Sequence, residues 1–227
     1  MSWSSADGDP RITVKFDKWI EFFKETLEYL NAESRDYIVF GGVAFSFLMR
    51  PVRTKDLDLA VIDFPTPEEE FDFSTQLQNK YLKIGATEVK KVDVATRKGR
   101  RISFSIAFDS GAGLAVELWQ YINEREPKLY PTTLIKLDNF NVKILTKESW
   151  IATKIGQPKN IDPRDVHRLA LICDEADIDE TYRILKRAEL LDYAHNNLKS
   201  LSLLGFKTPQ RLDKLRRLIS APGRSMI

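Results

Sequence analysis

The sequence predicts an α+β protein, in which a mixed β-sheet with flanking helices is followed by a C-terminal helical region. Short apolar runs, several with period-two alternation, are interspersed with helical patterns over residues 11–146. From residue 147 onward the apolar residues recur almost wholly at helical spacing. We therefore expect two domains, an α/β domain at 11–146 and a helical domain at 147–227.

The composition restricts the class of protein further. Hydrophobic residues make up 43% of the 227 residues and charged residues 30%, which is typical of a chain with a real core. The single cysteine, Cys173, excludes an internal disulfide framework and fits a reducing compartment. No apolar stretch approaches the ~20 residues of a membrane span. We expect a cytoplasmic protein with no membrane partner, and a net charge of +2 gives no indication of nucleic-acid binding by itself.

The elements of the α/β part follow from the spacing of apolar residues. Residues 14–32 have helical spacing, and "YIVF" at 37–40 reads as a short strand that stops at two glycines. Residues 43–49 predict a helix and 57–62 the next strand. The later predicted elements are a helix at 71–84 and strands at 87–96, 100–108, 114–122 and 140–146. The stretch "DSGAG" predicts a hairpin turn between the strands at 100–108 and 114–122.

The helical part shows clear helix starts. Lys147 after Thr146 suits the beginning of a helix at 147–156. Asp162 is a typical N-cap and Pro163 suits the first helical position of a helix at 162–176. The remaining residues of this part read as further helix.

Two carboxylates interrupt the apolar run after the glycine pair. Strand alternation puts Asp56 and Asp58 on one face, with Leu57 and Leu59 pointing into the core on the other. Carboxylates on one face repel each other unless a cation neutralises them. Hard divalent ions such as Mg²⁺ are bound by one or two carboxylates together with phosphate oxygens.

The glycine pair adds a second feature of the same site. Gly41 and Gly42 lie at a strand-to-helix turn and, lacking Cβ, let a ligand approach the backbone closely. The helix that opens there points free N–H groups at the ligand, which favours phosphate. Basic residues follow close by: Arg50, Arg53 and Lys55. Together these features predict a site for a metal-bound polyphosphate.

The stretch "GGVAFSFLMRPVRTKDLDL" resembles the nucleotidyltransferase signature of the polymerase-beta-like superfamily, in which a Gly-Gly or Gly-Ser turn precedes D-x-D on a strand. Thirteen residues, 43–55, separate the glycines from Asp56. The form is most similar to the AbiEii-type toxins and the minimal nucleotidyltransferases. The resemblance implies a nucleotidyltransferase-like mixed sheet and metal-dependent transfer of an NMP from an NTP to an acceptor hydroxyl.

The resemblance also implies the roles of the site residues. Mg²⁺ or Mn²⁺ would be held by Asp56, Asp58 and a third acidic residue on a neighbouring strand. Glu117, an acidic residue amid apolar ones in "LAVELWQYI", is the favoured third carboxylate, and Asp93 in "KKVDVAT" is the alternative. The residues expected to hold the nucleotide phosphates are Gly41, Gly42, Arg53 and Lys55.

The similarity to the AbiEii-type group extends into "SWIATKIGQPKNIDPRDVHRL". Lys154 and Asp165 would correspond to that group's helical lysine and the acidic residue that opens its next helix. Lys154 would neutralise charge that develops on phosphate. Asp165 would orient Lys154 or contact the nucleotide.

Two roles besides that of a housekeeping enzyme remain open. The first is that of a toxin that modifies tRNA or another RNA and has a cognate antitoxin as partner. The second is that of a non-catalytic module that binds nucleotide or recruits a partner. A kinase is disfavoured because the sequence has no P-loop and no kinase signature set. His167, His195 and Cys173 are interpreted as structural.

Overall fold

The structure is a computed structural model of the chain. It describes residues 10–50, 54, 56–62, 66–96, 99–109, 113–121, 128–137, 140–203 and 210–220.

The described strands form one seven-stranded sheet. Its strands are Tyr37–Phe40 (β1), Asp56–Val61 (β2), Glu88–Thr96 (β3), Gly99–Ala107 (β4), Gly113–Tyr121 (β5), Thr132–Leu137 (β6) and Phe140–Leu145 (β7). Their order in the sheet is β3-β4-β5-β2-β1-β7-β6. The β3–β4, β4–β5 and β1–β2 pairs are antiparallel, whereas β2–β5 and β1–β7 are parallel. The sheet is therefore mixed, as predicted.

Eight helices accompany the sheet in the same described part of the chain. They are Pro10–Ala32 (α1), Gly41–Leu48 (α2), Pro67–Lys83 (α3), Lys147–Ile155 (α4), Pro163–Cys173 (α5), Ile178–Arg187 (α6), Leu191–Leu203 (α7) and Gln210–Ser220 (α8). The predicted α+β class is confirmed. None of the described helices combines the length and the apolar character needed to cross a membrane.

By their internal contacts the residues separate into two compact units. The first contains the described residues up to Val43, those between Pro51 and Pro127, and Leu134–Ile144. The second contains Ala44–Arg50, Lys128–Thr133 and the described residues from Leu145 onward. A division by contacts does not test independent folding, so the domain boundaries 11–146 and 147–227 stay a prediction.

The core of the first unit lies on one face of the sheet. Leu59, Leu118 and Ile102 occupy one register row across β2, β5 and β4, and all three are fully buried. Tyr81 of α3 packs edge-on against Phe104 with ring centroids 5.9 Å apart, and its hydroxyl lies 2.7 Å from Thr26 Oγ1. This apolar face leaves the opposite face of the same strands for polar side chains.

The second unit has its own core, around Trp150 of α4. Trp150 is fully buried, and its ring lies 5.1 Å from that of Phe45 in α2. Buried Asn197 of α7 donates to the carbonyls of Ile155, the last residue of α4, and of Gln157, which follows the helix. Cys173 is buried as predicted, and burial raises the pKa of its thiol to about 12.

Candidate active site

The D-x-D pair lies on β2 with the predicted alternation. Leu57 is 2% exposed and Leu59 is 0% exposed, whereas Asp56 is exposed and Asp58 partly so. The apolar pair anchors the strand in the core of the first unit. The two carboxylates are consequently fixed on the opposite face of the sheet.

Gly41 lies directly against Asp58. The register of β1 and β2 pairs Phe40 with Asp58, and Gly41 follows with φ +68°. A Cβ added at Gly41 would lie 2.9 Å from Asp58 Cγ and would overlap the carboxylate oxygen Oδ2. Only glycine fits this position without strain, and α2 begins at the same residue. The glycine pair and the second aspartate therefore belong to one site.

Glu117 is the carboxylate that the sheet brings beside Asp58. The parallel β2–β5 register pairs Asp58 with Glu117, and it pairs Asp56 with the small side chain of Ala115. Paired residues on adjacent strands point to the same face, and the strands lie about 4.8 Å apart. Asp58 and Glu117 are thus immediate neighbours on the polar face.

Asp93, the alternative third carboxylate, lies elsewhere. Its register row contains Ile102 and Leu118, so it shares the face of Leu59 and not that of Asp58. The Arg100 guanidinium donates to both Asp93 oxygens, with Nε at 2.9 Å from each, and this lowers the pKa of Asp93. The geometry favours Glu117 over Asp93.

Arg101 is a charged neighbour that sequence reasoning missed. Its Nη1 lies 3.0 Å from Glu117 Oε1, and its guanidinium lies 5.1 Å from the centre of the Trp119 ring. The β4–β5 register pairs Arg101 with Trp119 and Ser103 with Glu117. Each contact depends on which strands pair, so the local sequence "RRISF" contains no signal for them.

The oxygen ligands of the polar face suit a hard divalent ion. Asp56, Asp58 and Glu117 supply only carboxylate oxygens, which Mg²⁺ and Mn²⁺ prefer. Asp58 is held beside both Glu117 and the helix opening at Gly41. No three His, Cys, Asp or Glu side chains are gathered as a ready-made metal cluster among the described residues. Arg101 balances the charge of Glu117 instead.

The two predicted residues of the helical part contact each other in the second unit. Lys154 Nζ on α4 lies 2.7 Å from Asp165 Oδ2 on α5. Asp165 is only 6% exposed and also pairs with Arg168, whose Nη1 is 3.0 Å from Oδ1. The ammonium of Lys154 lies 5.5 Å from the Trp150 ring. One buried carboxylate thus orients two cations.

Of the remaining residues predicted near the phosphates, the structure describes Arg50 and Gly42 but not Arg53 and Lys55. Arg50 lies in the second unit, where its Nη2 is 3.0 Å from Nε2 of His167. Arg53 and Lys55, expected to hold phosphate, lie outside the described residues. Gly42 is buried in the first turn of α2, next to Gly41.

Comparison with known proteins identifies the fold. No protein-family model matches the chain, and no curated protein does. An antigenic nucleotidyltransferase-like protein from Paracoccidioides brasiliensis is similar over 86% of this chain and 91% of its own, with 17% identity and a TM-score of 0.52. ANT(2″)-Ia, in a crystal structure with adenylyl-2″-tobramycin, is similar over 76% of this chain and 96% of its own, with 13% identity and a TM-score of 0.46.

A solution structure of the antibiotic-resistance factor ANT(2″)-Ia gives 10% identity and a TM-score of 0.48, over 79% of this chain and 98% of that one. The similarity to the Paracoccidioides protein is what shows that the fold is nucleotidyltransferase-like, as expected. At 17% identity it is evidence for the fold alone, so the chemistry has to be argued from the site.

Proposed function

We propose that the protein is a metal-dependent nucleotidyltransferase that moves an NMP from an NTP to an acceptor hydroxyl. One observation supports this most strongly. Asp58 is in register with Glu117 and lies against Gly41, so carboxylates and a helix N-terminus share one place on the polar face of the sheet. That combination suits a triphosphate and its divalent cation.

In this proposal Asp56, Asp58 and Glu117 hold Mg²⁺ or Mn²⁺. When bound, the metal neutralises phosphate charge and polarises the reacting phosphoryl group. The N–H groups at the start of α2, by Gly41 and Gly42, bind phosphate oxygens of the NTP. The acceptor oxygen forms a bond to the α-phosphorus while the bond to the β-phosphate oxygen breaks. Pyrophosphate leaves, and Glu117 accepts the hydroxyl proton.

Four further residues have proposed roles. Lys154, oriented by buried Asp165 at 2.7 Å, neutralises negative charge that develops on phosphate. Arg53 and Lys55 precede the D-x-D strand and are proposed to contact the β- and γ-phosphates.

We further propose an AbiEii-like role, in which the protein is cytoplasmic, its acceptor is RNA or tRNA, and a cognate antitoxin protein is its partner. The support is the form of the Gly-Gly to D-x-D stretch together with the Lys154–Asp165 pair. Expression of the active chain is then expected to arrest growth, and expression of Asp58→Ala is not. Growth arrest by both chains would contradict an enzymatic toxin.

The test of the proposed activity uses each NTP in turn, radiolabelled at the α-phosphate, with Mg²⁺ and total cellular RNA. We expect the natural chain to incorporate the radiolabel into RNA. The Asp58→Asn variant, which removes a proposed metal ligand while preserving side-chain size, is expected to incorporate none. Asp72→Asn on α3 is the matched control, because Asp72 is an exposed carboxylate on another element. Equal labelling by the natural chain and Asp58→Asn would contradict the proposed site.

A second candidate is a non-catalytic module that binds nucleotide or recruits a partner. The Arg101–Glu117 ion pair favours it, since a protein cation already neutralises the third carboxylate. Such a module would bind NTP in the presence of Mg²⁺ and would transfer no label to any acceptor.

A further inference from the structure

We infer that Arg101 is a positioning residue that competes with the divalent cation for Glu117. The guanidinium holds this carboxylate, and each of the two cations weakens the binding of the other there. The inference rests on the proposed function, because it concerns the same carboxylates.

The contacts of Arg101 place it inside the site. Its Nη1 lies 3.0 Å from Glu117 Oε1, and Glu117 is in register with Asp58 on the adjacent strand. Both side chains of the ion pair are largely shielded, with 30% exposure for Arg101 and 22% for Glu117. Solvent screens such a pair less than a fully exposed one, so the guanidinium is a substantial local charge at this carboxylate.

The polar atoms around the pair are not fully satisfied. Among the described residues, Arg101 Nε, Ser103 Oγ and Trp119 Nε1 are buried atoms that have no hydrogen-bond partner. All three belong to side chains on the same face of β4 and β5 as Glu117. Buried polar groups are normally hydrogen-bonded, and a buried donor without a hydrogen bond is unfavourable for stability. A ligand with acceptor oxygens would satisfy these donors.

Competition follows from charge. A divalent cation between Asp58 and Glu117 would lie close to a guanidinium that is still hydrogen-bonded to Glu117. The two like charges repel each other, and they share the lone pairs of one carboxylate. Binding of one at Glu117 therefore weakens binding of the other. The Arg101 guanidinium also lies 5.1 Å from the centre of the Trp119 ring on β5, and this cation–π contact stabilises it when its bond to Glu117 weakens.

The test measures Mn²⁺ alone, by the loss of the free-ion electron paramagnetic resonance signal on titration. Arg101→Met keeps an unbranched, flexible side chain and removes its charge, and we expect it to bind Mn²⁺ about five- to tenfold more tightly than the natural chain. The gain is expected to vanish in the background of Glu117→Gln. Arg101→Gln is a second variant with the same expected direction, and circular dichroism checks that each variant is folded.

Lys90→Met is the matched control for long-range charge. Lys90 is on β3 in a register row with Ser105, Ala115 and Asp56, hence on the same face of the sheet. It pairs with Glu88 at 2.9 Å instead of with Glu117. Its removal subtracts the same charge, and we expect little change in Mn²⁺ affinity.

The outcomes separate this inference from the proposed function. If Asp58→Asn abolishes Mn²⁺ binding while the folded Arg101 variants bind as weakly as the natural chain, or more weakly, the competition is contradicted and the metal site stands. An equal gain with Lys90→Met, or a gain that persists with Glu117→Gln, also contradicts it. Absence of Mn²⁺ binding in the natural chain and in every variant would contradict both proposals.

Discussion

Asp58 is the residue on which the local constraints converge. Its neighbour on β5 is Glu117, and Asp58 lies so close to Gly41 that a Cβ there would overlap the carboxylate. A carboxylate in this position has to be matched by positive charge or by N–H donors, because like charges on one face are otherwise repelled. The residue scale therefore gives the sharpest expectations about the site.

Gly41→Ala tests the close approach of backbone and carboxylate. The added methyl group would overlap Asp58 Oδ2 and would force alanine to φ +68°. We expect the free energy of unfolding, measured with urea, to fall by about 1–3 kcal/mol. Nucleotide transfer is expected to fall at least about tenfold, because the carboxylate is displaced.

Gly113→Ala is the control for this substitution. A Cβ added there would meet only the Ile106 carbonyl oxygen at 3.8 Å, which is ordinary contact. We expect this variant to keep transfer activity. A Gly41→Ala chain with natural stability and activity would show that the approach is not needed.

The sequence predicted the positions of the candidate residues on strand and turn better than it predicted their partners. Asp56, Asp58 and Gly41 form a local pattern, so alternation and turn chemistry are enough to find them. The contact of Glu117 with Arg101 depends on the pairing of β4 with β5. No spacing within either strand encodes that pairing, which explains why Arg101 was missed.

At the scale of elements, caps explain which helices were predicted well. Asp162 accepts a hydrogen bond from Arg164 N at 2.8 Å, and Pro163 is the first residue of α5, as predicted. The helix start is thus encoded by adjacent residues. The helical stretch after residue 178 is instead broken between α6 and α7, where Glu189 adopts φ +58°. Neither glycine nor proline marks that break.

Strand β6 was not predicted at all. Its sequence, "TTLIKL", alternates weakly, and Leu134 is 65% exposed at the edge of the sheet. An edge strand with one paired neighbour needs little apolar patterning, so hydrophobic periodicity is a poor guide to it. Strands β2, β4 and β5 lie inside the sheet and alternate clearly, and for that reason they were predicted.

Asp162→Ala tests the cap and its pH dependence. The Arg164 side chain and then the Arg164 backbone N–H lower the pKa of Asp162 below its usual range. A lowered folded-state pKa gives stability that is present above the unfolded pKa of about 4 and lost as the pH falls through the folded value. We expect the substitution to cost about 1 kcal/mol at pH 7.

The measurement is the free energy of unfolding in urea at pH 7 and at pH 3. The difference between the natural chain and Asp162→Ala is expected to shrink at pH 3. An undiminished difference would mean that the charge of Asp162 contributes nothing to the cap.

At the scale of the whole molecule, the fold narrows the chemistry less than the site does. The mixed sheet and its helices are nucleotidyltransferase-like, and a net charge of +2 leaves the class of acceptor open. Folds of one kind support several functions, whereas paired carboxylates beside a helix N-terminus suit a narrow class of reactions. The central claim is therefore that this protein transfers the nucleoside monophosphate part of an NTP, which contains the α-phosphate, to an acceptor.

The most direct measurement compares NTP labelled at the α-phosphate with NTP labelled at the γ-phosphate, each incubated with Mg²⁺ and a cell extract as the source of acceptors. We predict that the α-label becomes covalently attached to an acceptor and that the γ-label leaves in pyrophosphate, with neither event in Asp58→Asn. Attachment of the γ-label to the acceptor, or α-labelling that survives in Asp58→Asn, would contradict this claim.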